Sequence, residues 1–121
     1  QTHKVADVQE VDCCIVGGGP AGAVLSLLLA RQGIRVMLLE AHRDFDRDFR
    51  GDTLQPSTME IMAAMGLADR LLELPHTKLR SITLRSTDGN VIFSPSFARL
   101  KTRFPYVTVM PQVRFLDFIV E

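Results

Sequence analysis

Apolar positions change their spacing from segment to segment along this chain, and the changes mark its elements. Val11 to Val16 is a short, nearly continuous apolar run, the pattern of a strand buried on both faces. Ala23 to Gln32 carries leucines at 25, 27, 28 and 29 and stops before Gly33, where a helix C-cap favours glycine. Arg35 to Leu39 is a second apolar strand that delivers an acid, Glu40, at its carboxyl end. Ser57 and Glu60 have capping-box spacing ahead of a helix over Thr58 to Met65, which Gly66 ends. Leu67 to Leu74 reads as a short second helix stopped by Pro75. From Leu79 to Ser86 apolar and polar residues alternate, Thr87 to Asn90 supplies a turn and Val91 to Phe93 returns, which predicts a half-exposed β-hairpin. Tyr106 to Met110 is one more apolar strand, and Val113 to Glu121 suits a helix burying Phe115, Leu116, Phe118, Ile119 and Val120. Ala41 to Asp52 has no sustained period and reads as a long exposed loop, and Ser94 to Phe104 as irregular chain. Gln1 to Glu10 is a polar lead-in.

Between the first strand and the first helix lies Gly17-Gly18-Gly19-Pro20-Ala21-Gly22, which contains G-x-G-x-x-G at Gly17, Gly19 and Gly22. Gly17 allows a tight turn out of the strand. Gly19 lets a pyrophosphate approach the backbone, and Gly22 lets the helix pack closely on the sheet. The N–H groups and positive dipole end of the helix then face the phosphates. Glu40 lies about 20 residues on, where an acid accepts hydrogen bonds from a ribose diol. A carboxylate there disfavours a 2′-phosphate, so FAD or NAD is preferred over NADP at this site. The competing reading is a glycine-rich structural turn with no ligand; the strand, helix, Gly33 and acid together favour the dinucleotide.

Composition adds mainly exclusions. Of 121 residues 46% are hydrophobic and 23% charged, ordinary for a globular domain, and the formal net charge is zero. That balance gives no electrostatic reason to expect nucleic acid or an anionic membrane. No apolar run approaches the ~20 residues of a membrane span, and no secretory signal opens the chain. Cys13 and Cys14, the only cysteines, are adjacent on a strand and point to opposite faces, so they are expected as buried small hydrophobes rather than a disulfide. Two reduced thiols suit the cytoplasm. There is no Ser/His/Asp constellation and no His/Cys cluster with metal spacing. Met59, Met62 and Met65 recur every three residues and read as a core stripe in preference to a cofactor-flanking one. His76 reads as a turn residue, and His3 and Lys4 as solvated. In the loop after Glu40, Arg43 reads equally as a cofactor contact or a solvated charge, whereas Arg50, beside Gly51 and Asp52, favours function. Arg99, Lys101 and Arg103 form a local basic patch.

Four stretches together resemble the N-terminal part of the FAD-binding domain of single-component flavoprotein aromatic hydroxylases, the group typified by p-hydroxybenzoate hydroxylase. They are VDCCIVGGGPAG, the strand ending in Leu39-Glu40, FRGDTLQPSTMEIMAAMGL, and PQVRFLDFI. The resemblance implies an incomplete α/β domain. Residues 10–75 would be a Rossmann-like βαβ nucleotide unit with its loop and helices, 76–104 the start of an inserted substrate-binding sheet including the hairpin, and 105–121 the return strand and helix. It implies that Gly17, Gly19, Pro20 and Ala21 hold the FAD pyrophosphate, that Glu40 holds the adenosine ribose, and that Val16 and Ala41 also bind the cofactor. Arg43 would lie beside the adenine and Arg50 would face the phosphates. Gln112 would reach the ribityl or phosphate region, with Arg114 opening the following helix. The family's later Asp-Gly and Gly-Asp segments have no counterpart here: Asp88-Gly89 sits in the hairpin turn and Gly51-Asp52 comes too early.

By the same resemblance the complete enzyme is an NAD(P)H-dependent monooxygenase using O₂ on an aromatic or other electron-rich small molecule, and the 121 residues alone are expected to be inactive. The flavin does the chemistry, so no residue of this segment is named as catalytic. The alternatives are an FAD-dependent reductase or halogenase on the same scaffold, an NAD-dependent dehydrogenase, or a truncated non-catalytic flavin module. The dehydrogenase is disfavoured because Ala41 to Pro56 replaces the short loop and helix expected after the second strand. A domain cut at this point would expose apolar surface, so a homo-oligomer is among the expectations.

Overall fold

The computed structural model describes residues 8–43 and 51–121, so His3, Lys4, Arg50 and most of the loop after Glu40 lie outside the described residues. The backbone clusters into two units, one of residues 1–46 with 116–121 and one of residues 47–115.

In the first unit, β1 (Cys13–Val16), α1 (Pro20–Arg31) and β2 (Val36–Leu39) form the expected β-turn-α-β arrangement. β1 and β2 pair in parallel from Cys13↔Val36 to Val16↔Leu39, and the Gly17 N–H extends the ladder to the Leu39 carbonyl at 2.7 Å. Parallel neighbours need a crossover connection, usually a helix, and α1 supplies it. The helix begins three residues earlier than the leucine pattern suggests. Pro20 takes the first helical position, which has no need of a backbone N–H, and Gly19 is the N-cap. At the other end Gly33 adopts φ +80°, the left-handed conformation that closes a helix.

The expectation that β1 is buried on both faces is not met. Its residues alternate between half-buried and exposed, Cys14 is exposed, Cys13 is half-buried, and Val16 is 81% exposed. The two thiols do point to opposite faces, but neither is a buried core residue. The physical reason is coverage: α1 packs on this pair, yet of its own residues only Ala23 is fully buried. A two-stranded parallel sheet with one covering helix has too little surface to enclose both faces.

The second unit is built on a three-stranded antiparallel sheet in the order β3-β7-β4, with β3 (Thr53–Leu54), β4 (Thr77–Leu79) and β7 (Val107–Val109). β7 is central, pairing Thr53↔Val109 on one side and Thr77↔Val109 on the other. α2 (Pro56–Ala64) packs against α3 (Ala68–Leu72), and the core of the unit is Met59, Met62, Leu71, Phe104, Tyr106, Val107, Met110 and Phe115, each at most 5% exposed. The three-residue methionine spacing is thus a core stripe. Flexible thioethers fill the irregular space between helices and a short sheet. Gly66, at φ +73°, ends α2 as expected.

Two local expectations fail here for the same reason. Ser57 and Glu60 do not form a capping box: Gln55 is the N-cap, no side chain caps the helix, and Glu60 instead accepts a hydrogen bond from the Thr102 hydroxyl. The alternating run from Leu79 to Ser86 is not one strand. Its start belongs to β4, and only β5 (Leu84–Arg85) pairs with β6 (Val91–Phe93) as a hairpin. In both cases a partner far along the chain wins over the local motif. The hairpin turn itself is as expected, with Gly89 at φ +90° and its N–H donating to Ser86 O. Leu84, Val91, Ile92 and Phe93 are all more than half exposed, so the hairpin is open on both faces, not one. The last helix, α4 (Gln112–Val120), buries Phe115, Leu116 and Ile119 as expected, but Phe118 is half-buried and Val120 is exposed, with Asp117 also exposed.

Candidate functional site

The glycine turn follows directly from the residues that make it. Gly17 leaves β1 at φ +109°, a conformation that strains any residue with a side chain. Gly22 lies against that same turn: a methyl group on it would sit 1.9 Å from the Gly17 carbonyl oxygen. No side chain fits, so α1 can approach the strand this closely only with glycine there. The Ser26 hydroxyl donates to the Gly22 carbonyl at 2.7 Å, tying the second turn of the helix to the first. Gly19 is extended, and the helix starts at once behind it.

Glu40 is held at the mouth of this turn. The Gly18 N–H donates to Glu40 Oε2 at 2.6 Å, and a methyl group on Gly18 would meet that same oxygen at 2.8 Å. The other carboxylate oxygen accepts the His42 N–H at 3.2 Å and faces His42 Nδ1 at 3.0 Å. The sequence pattern places an acid at the end of the second strand; the folded chain brings its carboxylate onto the glycine turn itself.

The donor set suits a dinucleotide. Gly18 directs its N–H at the acid, and Pro20 has none. The N–H groups in the first turn of α1, which a helix leaves without intrahelical partners, are therefore the ones placed for phosphate oxygens. A carboxylate anchored beside that helix end is the acceptor a ribose diol requires. At Gly17 nothing lies within 4 Å of where a side chain would begin, which leaves the turn open at that point. On these grounds the residues present fit the adenosine diphosphate half of FAD.

Of the expected site residues, Val16, Gly17, Gly19, Pro20, Ala21 and Glu40 gather at the carboxyl end of the β1–β2 pair, and the exposed Ala41 and Arg43 follow Glu40 on the chain. Arg50 lies outside the described residues. Gln112 and Arg114 belong to the other unit, at the start of α4. There the Gln112 amide nitrogen lies where a methyl on Gly51 would be 3.2 Å away, so Gly51 leaves room for it. Arg114 Nη1 donates to the Pro75 carbonyl at 2.7 Å. Arg114 also lines an open cleft of about 610 Å³ with Asp52, Pro75, His76, Thr77, Val109, Met110 and Pro111. His76 is in a turn, as its sequence position suggests, with Nδ1 2.7 Å from the Leu74 carbonyl. The Met110 N–H donates to Asp52 O, so the cleft borders the β3–β7 ladder.

Gly18, His42 and Asp52 were not expected in either site. Gly18 could be found only through the acid it serves, and His42 only by noticing a donor two residues past that acid. The site of Asp52 depends on β3 pairing with β7, which no local pattern announces. Among the described residues, no helix is long and apolar enough to cross a membrane, and no group of three or more His, Cys, Asp or Glu is placed to hold a metal.

Comparison with known proteins agrees with this geometry. Residues 10–121 match the family described as FAD binding domain. The chain is 33% identical over 116 residues to 6-methylpretetramide 4-monooxygenase of Streptomyces rimosus, covering 96% of this chain and 28% of that enzyme. Its fold superposes on p-nitrophenol 4-monooxygenase from Pseudomonas putida with a TM-score of 0.77 at 27% identity, over 89% of this chain and 28% of that one. A myxobacterial chondrochloren halogenase, an FAD-dependent enzyme, gives 0.74 at 26% identity, over 91% of this chain and 25% of that one. The chain thus spans about a quarter of the length of the relatives it matches. From residue 10 onward it belongs to the FAD binding domain family, and its fold is that of the FAD domain of flavoprotein monooxygenases.

Proposed function

We propose that this chain supplies the adenosine-binding end of the flavin site in an NAD(P)H-dependent monooxygenase that hydroxylates an aromatic or other electron-rich small molecule with O₂. The observation that carries the reading is the Glu40 carboxylate anchored on Gly18 at the mouth of a bare glycine turn. In this reading the backbone from Val16 to Ala21 holds the pyrophosphate, Glu40 with Ala41 the ribose, and Arg43 the adenine. Arg50, Gln112 and Arg114 serve the phosphates and ribityl chain. FAD, when bound, supplies the redox chemistry, taking electrons from the nicotinamide and using O₂ as the oxygen source. This chain's residues bind and orient; none of them is required as an acid, base or nucleophile. Residues 76–104 open the substrate-binding sheet, and the enzyme works in the cytoplasm.

The test is the absorption spectrum of the full-length protein as purified, and again after added FAD. The expected result is bound oxidised flavin, with NADH or NADPH oxidation accelerated by phenols. A colourless protein that ignores added flavin overturns the reading. The likeness to a halogenase supports a second outcome, recognised by a product that gains halide instead of oxygen.

A further inference from the structure

Resting on the assignment of Glu40 to the ribose, we propose that the His42 side chain is a stand-in for one ribose hydroxyl, so that it competes with the cofactor for Glu40 and sets the affinity of the site. A carboxylate can only accept hydrogen bonds, so the contact at 3.0 Å requires His42 Nδ1 to carry its proton and donate to Oε1. That same oxygen already accepts the His42 backbone N–H at 3.2 Å. Each carboxylate oxygen has two lone-pair sites. Oε1 therefore has both occupied by one residue, while Oε2 has at least the Gly18 N–H at 2.6 Å.

A ribose diol donates two O–H groups, one to each oxygen of an acid that grips it side-on. Glu40 as held here has no site on Oε1 for the second. The backbone N–H of His42 is fixed by the chain direction after β2. The imidazole is not: its side chain is 66% exposed, against 19% for Glu40, and it can rotate into solvent at little cost. Gly18 keeps the acid turned towards the glycine turn, and the His42 imidazole gives way when the sugar arrives.

The test measures binding of ADP and of 2′,3′-dideoxy-ADP to the full-length apoprotein and to Glu40→Gln, His42→Phe and His42→Asn. Phenylalanine keeps the ring and loses the donor; asparagine keeps a donor at the Nδ1 position. His42→Phe is expected to bind ADP about three- to tenfold more tightly, the scale of one hydrogen bond to a charged group less its replacement. Dideoxy-ADP affinity is expected to stay unchanged, and His42→Asn to return ADP affinity to the wild-type value. Unchanged or weaker ADP binding by folded His42→Phe overturns the proposal, as does an equal gain for dideoxy-ADP. The underlying assignment fails separately, if wild type does not prefer ADP over dideoxy-ADP or if Glu40→Gln leaves that preference intact.

Discussion

The glycine turn and the Asp52–His76–Arg114 cleft are built on opposite principles. The turn is specified by backbone: one positive φ at Gly17, one forbidden methyl at Gly22, and an acid delivered by a parallel neighbour. The cleft is specified by pairing across long loops, since β7 must find both β3 and β4 before Asp52, Thr77 and Val109 come together. The turn should therefore fail abruptly to single-atom changes, and the second unit gradually through its core.

The largest expected effect is at Gly22. Gly22→Ala puts a methyl 1.9 Å from a backbone oxygen that cannot swing aside, so β1 and α1 must separate. Loss of nucleotide binding together with a stability cost of about 3 kcal/mol or more is expected, read by denaturant melts and ADP titration. In the second unit, Phe115→Ala removes a 1% exposed ring and should cost about 3–5 kcal/mol. Its melt should shift without any altered preference between ribose and dideoxyribose nucleotides. Gly18→Ala sharpens the contrast. Its methyl would meet the Glu40 side chain and no backbone atom, with Oε2 at 2.8 Å and Cβ at 3.2 Å, so the carboxylate must turn away and the strand end shift slightly. Stability should hardly change while the ribose preference falls, which separates site from scaffold.

Smaller effects lie away from both sites. Thr108 Oγ1 is buried in the central strand without a hydrogen-bond partner among the described residues. Thr108→Val removes that polar atom at constant shape and should leave stability unchanged or raise it by up to about 1 kcal/mol. The smallest is Asp12, whose exposed carboxyl is held below its usual pKa chiefly by the Arg35 side chain at 3.0 Å, and also by the Arg35 N–H. A lowered folded pKa contributes stability above the unfolded value of about 4 and loses it as pH falls through the folded one. Asp12→Asn should lose that slight contribution at neutral pH and with it the acid-side dependence in pH-resolved melts, so the two proteins converge at low pH.

The same contrast decides what could be read from the chain. The β-turn-α-β unit was legible because its signals are local: glycines where φ demands them, a helix closed by Gly33, an acid after the second strand. What failed was whatever depends on partners far away. Val11 to Val16 looked like a doubly buried strand because apolar content cannot tell how many layers will cover it. Glu60 looked like half of a capping box because Thr102, 42 residues on, is invisible to a local motif. LRSITLRS looked like one strand because nothing in its alternation marks where β7 stops pairing. The place of Glu40 at the end of β2 was legible, but Gly18 and His42, which hold its carboxylate, were not.

The most direct measurement is the FAD dissociation constant of the full-length apoprotein, wild type against Glu40→Gln, by quenching of flavin fluorescence. Replacing the carboxylate keeps its shape and weakens a charge-assisted grip on the sugar, so affinity should fall about tenfold or more. Equal affinity in the two proteins, with the variant folded, would contradict the assignment of Glu40 to the cofactor.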